Sequence, residues 1–227
     1  MRVGRAGKIA AGLAGAIALG LGLAQVFLPR VAANRISSRL ARYGTVQSVS
    51  VGAWPAVELL WGRADTVRVR AMSLKVSPSQ TASLLREARG VSDLQLTAPR
   101  VQEGPLPMTD VSLRKRGDAL SGEGWITKAH VRAALPKGFD VQLLKSEGGT
   151  VQVRASGGLF GVPARVDAVA SPSEGRLVVH PLGLLLEGLK ITLFADPHIY
   201  VEAVGASEAA GPGGEPSFRL TIRASAR

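Results

Sequence analysis

The chain has 227 residues, no cysteine and a formal net charge of +11. The absence of cysteine excludes a disulfide framework and any thiolate metal site. Seven basic residues and no acidic residue precede Glu58, and the few aromatic residues are scattered along the chain. Nucleic-acid binding requires a basic surface interleaved with aromatic side chains, so we expect no nucleic-acid partner.

An uncharged apolar run, Ile9–Leu28, lies near the N-terminus, with Gln25 as its only strongly polar side chain. A helix of about twenty residues spans about 30 Å, the thickness of the hydrocarbon core of a bilayer. Basic residues flank the run on both sides. We therefore predict that residues 1–33 form a basic leader and a transmembrane signal anchor. A secretory signal that is cleaved after Ala33 is the alternative.

The orientation of this anchor is not decided by the count of flanking charges alone, because basic residues lie on both sides of it. The inverted orientation would carry a short tail with three positive charges across the membrane. We therefore expect residues 34–227 to form a single extracytoplasmic domain of a single-pass protein of the cell membrane.

The segment after the anchor has the pattern of an amphipathic helix, because Ile36 and Leu40 share one face and basic side chains share another. This helix rests on anionic lipid headgroups, or it is the first helix of the domain with a solvated basic face, and the two interpretations are compatible. The candidate membrane contacts are Arg30, Arg35, Arg39 and Arg42.

From Thr45 onward the sequence alternates between apolar and polar residues, which is typical of strands. A change of parity after Ala71 predicts a β-bulge, and Ser77-Pro78-Ser79-Gln80 predicts a helix start with a capping box. Thr127 is the expected cap of another short helix. Short strands separated by glycine-containing turns predict an α+β fold with an antiparallel meander, solvated on one face, and a few short helices.

No catalytic or metal site is recognisable in the sequence. The three histidines, His130, His180 and His198, lack partners at the spacing of a helical metal site. There is no G-x-S-x-G sequence to expose a serine nucleophile, and most carboxylates lie beside turn glycines. We therefore predict a protein that is not an enzyme and uses no cofactor.

The supply of bulky apolar side chains is small for a sheet of this length, since leucine, valine and alanine must fill most of the interior. Either an ordinary aliphatic core forms, or a cavity remains that an acyl chain fills. Two apolar segments, 157–163 and 180–186, are expected at a hairpin tip and in a loop. There they would dip into a membrane, border a cavity or fold back on the domain.

Three stretches of the chain are similar to the LmeA-like phospholipid-binding family of actinobacterial exported proteins. The first is Gly52–Arg63 with Asp65-Thr66-Val67 behind it, the second is Gly157–Val166, and the third is Glu174–Val179 with Pro181 and Gly183. The chain departs from the family pattern at Pro181–Leu189, where relatives are richer in Pro-Leu repeats.

This resemblance implies an exported domain in which a curved antiparallel sheet packs on a few helices, similar to tubular lipid-binding folds. It also implies a role in cell-envelope lipid or lipoglycan assembly. The expected ligand is a phospholipid or a related lipid in an apolar groove, and the expected partners are the membrane and envelope biosynthesis proteins. The candidate lipid-binding residues are Trp54, Leu59, Leu60, Trp61, Leu159, Phe160, Leu184 and Leu185.

Two other function classes remain open at this point. In the first, the chain is a non-catalytic scaffold that is tethered to the membrane and docks an envelope protein through its strand edges or basic faces. In the second, it is a hydrolase of envelope lipids, although the sequence offers no recognisable nucleophile and base.

Overall fold

A computed structural model describes residues 24–103, 106–135, 137–159, 162–183 and 190–226. The helices are α1 (24–40), α2 (Pro78–Glu87) and α3 (Lys128–Ala133), with 3-10 turns at Ala56–Trp61 and Ala88–Gly90. The strands are β1 (Gly44–Gly52), β2 (Ala64–Val76), β3 (Val91–Glu103), β4 (Leu106–Arg116), β5 (Ala119–Thr127), β6 (Asp140–Glu147), β7 (Thr150–Leu159), β8 (Val162–Ser173), β9 (Arg176–Leu182), β10 (Ile191–Phe194), β11 (Ile199–Ala210) and β12 (Pro216–Ala226).

The strands form two sheets, which confirms the α+β class but differs from the single sheet predicted. The first sheet has the order β1-β2-β3-β4-β5-β12-β11, and the second has the order β10-β9-β8-β7-β6. The second sheet is an antiparallel meander, as predicted, whereas β2 and β3 of the first sheet pair in parallel. Helix α2 connects β2 to β3, and a parallel pair requires a long crossover of this kind.

Local sequence signals account for several boundaries. The Ser77 hydroxyl accepts a hydrogen bond from the Gln80 amide, and the Gln80 side chain accepts one from the Ser77 amide, so the predicted capping box caps α2. The parity change in β2 is a bulge, because Val46 pairs with Ala71 while the preceding residue of β1 pairs with Ser73. Met72 is the extra residue, and its side chain is exposed.

Helices α1 and α2 contribute to the core of the first sheet. Leu40 of α1 is buried in one cluster with Val67, Val69 and Leu94 of neighbouring strands, and Leu84 of α2 packs against the same cluster. In β2 the buried residues alternate with exposed arginines, which explains why one face of the strand enters the core and the other meets water.

The predicted membrane anchor, Ile9–Leu28, lies mostly outside the described residues, and only its end, 24–28, belongs to α1. No helix within the described ranges is both long enough and apolar enough to cross a membrane. Ala32 and Ala33 pack against the core cluster that contains Leu40. The predicted domain boundary after Ala33 therefore falls inside a continuous helix.

Strand β11 joins the two sheets. It pairs with β12 in the first sheet, and its backbone also bonds to two hairpin turns of the second sheet. The Val201 amide donates to the Gly175 carbonyl at 2.8 Å, and the Val204 amide donates to the Gly149 carbonyl at 2.9 Å. Val201 is fully buried at this junction. The second sheet is thus attached to β11 by the ends of its hairpins.

A charged side chain of β11 strengthens the same junction. Glu208 accepts a hydrogen bond from Lys128 of α3 at 2.6 Å and another from the Leu143 amide of β6 at 3.2 Å. The hydrogen bond from Lys128 is the main reason that the pKa of the Glu208 carboxyl lies below its usual range. The carboxylate therefore connects α3 and both sheets while it stays ionised.

Replacing Gly175 by alanine should destabilise the fold more than replacing Gly148 by alanine. Both residues have positive φ, +77° and +59°, so each alanine strains the backbone by about 1–2 kcal/mol. A Cβ at Gly175 would also lie 2.3 Å from the Tyr200 ring, whereas one at Gly148 meets open space. The clash should add about 1–3 kcal/mol in urea unfolding of the full chain in mild detergent. Equal losses in the two variants would contradict this account of the junction.

Candidate functional site

Apolar side chains continue across four strands of the second sheet. Val153 of β7 pairs with Leu143 on one side and with Ala168 on the other, and Ala168 pairs with Pro181. Cross-strand partners point to the same face of a sheet, so these residues form one row. The neighbouring rows on this face are Val141, Ala155 and Val166, and Val151, Ala170, Val179 and Ile191. We call this surface the apolar face of the second sheet.

The opposite face of the same strands carries the charged side chains, together with Val169 and the buried Val178. Arg154 and Asp167 are cross-strand partners and form a two-point ion pair, with N–O distances of 2.6 and 2.7 Å. The hydrogen bond from Arg154 holds the pKa of the Asp167 carboxyl below its usual range. The ion pair and the apolar rows therefore distinguish the two faces of the sheet.

The apolar face is poorly covered by the described part of the chain. Val151 is buried, but Val153 and Ala168 are only half-buried, and Ile191 is 47% exposed. The three clusters of buried apolar residues found in the described ranges contain no residue of β6, β7, β8 or β9. The second sheet reaches these clusters through Phe194 of β10. This sheet therefore presents apolar surface where the first sheet has a packed core.

Two crevices lie near the junction with β11, and neither resembles an acyl-chain tunnel. The first has a volume of about 280 Å³ and is lined by Glu174, Arg176, Ala195, Asp196, Pro197, Ile199 and Tyr200. Binding pockets for small ligands usually have about 300–1,000 Å³, so this crevice is too small for a two-chain lipid. Its two carboxylates and one guanidinium also offer no net positive charge to a phosphate.

The second crevice is lined by cationic and apolar side chains, and it is too narrow to hold an acyl chain. Its lining includes Lys115, which is 4% exposed and donates hydrogen bonds to the backbone carbonyls of Arg89 and Val91. Burial lowers the pKa of the Lys115 ammonium. No sequence signal indicates the burial of Lys115, because alternation places it on an ordinary strand. Its two carbonyl partners account for its position.

The predicted lipid-binding residues at the start of β2 lie on one exposed turn. Residues 53–62 connect β1 to β2, and we call them the aromatic turn. Trp54 is 77% exposed, Leu60 is 66% exposed and Trp61 is 71% exposed, whereas Leu59 packs against the core. None of the four lines either crevice. Their contact with lipid therefore stays a prediction.

Of the other four predicted lipid-binding residues, only Leu159 belongs to the described part of the chain. Phe160, Leu184 and Leu185 lie outside the described residues. The backbone of Leu159 ends β7 and pairs with Val162 of β8, so this segment leads to a hairpin tip as predicted.

The predicted basic face of α1 is present. Arg30, Arg35, Arg39 and Arg42 are all exposed. Arg39 forms an ion pair with Glu87 at the end of α2, so part of the basic face bonds within the domain. The segment is thus the first helix of the domain with a solvated basic face, and its contact with a membrane stays a prediction.

Gln25 has a role that the sequence pattern did not indicate. Its side-chain amide donates to the Ala53 carbonyl at 3.0 Å and accepts from the Ala56 amide at 2.8 Å. These contacts span about thirty residues of sequence, and no local spacing predicts them. Asp65 likewise accepts a hydrogen bond from the Trp54 amide at 2.7 Å. Two side chains from outside the aromatic turn therefore fix its backbone.

The three histidines are not brought together with carboxylates in a metal-binding arrangement. Within the described ranges there is no group of three or more histidine, aspartate or glutamate side chains that could hold a metal ion. His130 is exposed on α3, His180 lies in β9 and His198 borders the second crevice.

Comparison with known families identifies the chain's relatives. Residues 19–223 match the family described as LmeA-like phospholipid-binding. The chain belongs to this LmeA-like family. The match includes both sheets, all three helices and the aromatic turn, and it begins inside the apolar N-terminal run. Comparisons with curated proteins and with solved structures give no match. The family relationship supports lipid binding by this chain.

Substitution of Gln25 by alanine should expose the Ala56 amide to solvent exchange without affecting the Trp54 amide. Loss of one hydrogen bond costs about 1 kcal/mol, so exchange of the Ala56 amide should accelerate about fivefold in NMR hydrogen exchange. Asp65→Ala should give the reverse pattern, because Asp65 bonds to Trp54 and Gln25 bonds to Ala56. If neither variant changes the exchange of its own partner, the turn is held by other contacts.

Proposed function

We propose that this chain is a membrane-anchored extracytoplasmic protein that binds a phospholipid or a related lipid on the apolar face of the second sheet. The observation that carries this proposal is the half-buried apolar face in a member of a phospholipid-binding family. The lipid tails would cover Val153, Ala168 and their neighbours, which no described core cluster includes.

Transfer of a lipid out of a bilayer requires an apolar surface on the protein that the lipid tails can cover. A lipid that leaves a bilayer already has its tails in an apolar medium, so the protein must offer an equally dry surface. Each methylene left in water costs about 0.8 kcal/mol, and a buried charge beside the tails costs several times more. The second sheet meets this requirement, because its ion pair of Arg154 and Asp167 is on the opposite face.

Contacts of α1 support a retained anchor over a cleaved signal. Cleavage after Ala33 would remove Gln25, which bonds to the aromatic turn, and Ala32 and Ala33, which pack on the core. Retention keeps these contacts and places the domain directly beside the bilayer that supplies the lipid. The extracytoplasmic location follows from the charge argument on the N-terminal tail.

The biological role we propose is presentation of the bound lipid to proteins that assemble envelope lipids or lipoglycans. The chain itself would carry out no covalent step. The membrane and the assembly proteins are therefore its proposed partners, and its function depends on loading and release of the lipid.

A membrane-tethered scaffold is the second candidate, and one observation favours it. Strand β10 is at the edge of the second sheet, and its side chains Ile191 and Leu193 are 47% and 51% exposed. An edge strand with exposed apolar side chains can accept a strand from a partner protein.

A carboxylate on the apolar face should abolish lipid retention. Val153→Asp places a charge among the lipid tails, whereas Gln152→Asp places the same charge on the polar face of the same strand. The full chain is purified in mild detergent and extracted with organic solvent, and the extract is quantified by mass spectrometry. We expect stoichiometric phospholipid from the wild type and from Gln152→Asp, and a loss of about tenfold or more from Val153→Asp.

Three results would contradict this proposal. Equal retention by both variants would move the lipid away from this face. A folded wild-type chain without any lipid would favour the scaffold, and a stoichiometric hydrolysed lipid would favour a hydrolase. Circular dichroism of each variant controls for loss of the fold.

A further inference from the structure

The aromatic turn displays large apolar side chains to solvent on a well-ordered support. Trp54 is 77% exposed, Trp61 is 71% exposed, and Leu60, which precedes Trp61, is 66% exposed. Trp125, by contrast, is half-buried on β5 and lies beside the Arg219 guanidinium. Contiguous exposed apolar surface of this kind marks an interaction site in soluble domains.

The backbone of the turn is fixed to the domain, whereas its large side chains are exposed to solvent. Ala53 and Ala56 are buried at 7% and 1% exposure and tie its backbone to the domain. Gln25 bonds to both of these residues, and Asp65 bonds to the Trp54 amide. The two indoles are therefore projected outward by a backbone that is fixed at several points.

The position of the turn along the fold indicates what covers it. Gln25 lies within hydrogen-bond distance of the turn, and in the sequence the predicted apolar anchor immediately precedes it. The first turns of α1 also expose Phe27 at 60%. Gln25 of α1 and the two tryptophans are therefore neighbours on the surface of the domain, and the predicted anchor precedes Gln25 in the sequence.

We infer that the aromatic turn inserts into the interface of the lipid bilayer and so fixes the orientation of the domain on the membrane. This inference rests on the proposed anchoring by residues 9–28. Indole rings combine an apolar body with a polar N–H group and are enriched at membrane–water interfaces for that reason. Arg63 and Asp65, which follow the turn in the sequence, are exposed, and charged side chains of this kind suit the headgroup region of a bilayer.

The exposed residues of the predicted lipid-binding group and the second sheet would then contact different lipids. Trp54, Leu60 and Trp61 would contact bilayer lipids, while the bound lipid would occupy the apolar face. Leu59 packs against the core and supports the turn.

Depth-dependent fluorescence quenching tests this contact in the full chain. Because the chain has three tryptophans, double Trp→Phe variants leave Trp54, Trp61 or Trp125 as the single emitter. Each variant is reconstituted into vesicles of phosphatidylcholine with phosphatidylglycerol as the minor component. The phosphatidylcholine is unlabelled, or brominated near the headgroup end or near the methyl end of its chains.

Lipid brominated near the headgroup end should quench Trp54 and Trp61 about twofold or more, and should quench them more than lipid brominated at the methyl end. Trp125 should be unaffected. If Trp54 and Trp61 stay accessible to aqueous acrylamide and insensitive to both bromolipids, the inference is wrong. Shielding of both indoles without any bromolipid effect would also overturn it, in favour of a protein partner or a second copy.

A second measurement separates this inference from the proposed function. The double variant Trp54→Ser, Trp61→Ser should keep the stoichiometric lipid of the wild type in organic extracts and should remain in the membrane fraction. Loss of the extracted lipid would assign the tryptophans to the lipid groove and overturn the inference. Failure of the wild-type chain to sediment with membranes would refute the proposed anchor instead.

Discussion

Coverage of apolar sheet surface is the constraint on which the rest of this fold depends. The first sheet satisfies it with α1 and α2, whose apolar side chains join the buried residues of β1, β2 and β3. The second sheet has β11 at its hairpin ends, and α3 beside it is only six residues long. We therefore propose its apolar face as the lipid site, because apolar surface there lacks a partner within the described core clusters.

Membrane attachment and lipid binding are divided between the two sheets in this account. The aromatic turn connects two strands of the first sheet, and α1 packs against the core of that sheet. The proposed lipid surface is on the second sheet. Strand β11 connects them through backbone hydrogen bonds and the Glu208 carboxylate. In the proposed function, this division would keep the domain in a fixed orientation on the bilayer while the lipid surface is loaded and emptied.

The sequence predicted local structure well and long-range structure incompletely. The capping box at Ser77, the bulge after Ala71 and the basic face of α1 follow from spacings of a few residues, and the structure contains all three. The division into two sheets depends on contacts between distant segments, which alternation alone does not encode. Gln25 shows the same limit. Its partners in the aromatic turn are about thirty residues away, and nothing in the apolar run around Gln25 indicates them.

Photo-crosslinking tests the central claim most directly. The full chain in membranes is exposed to a phospholipid that carries a diazirine on its acyl chain, and the labelled peptides are mapped by mass spectrometry. The account predicts crosslinks on the apolar face of β7 and β8, at Val153, Ala168 and their cross-strand neighbours. Crosslinks confined to the N-terminal apolar run and the aromatic turn would contradict it, because the chain would then touch bilayer lipid without holding a lipid of its own.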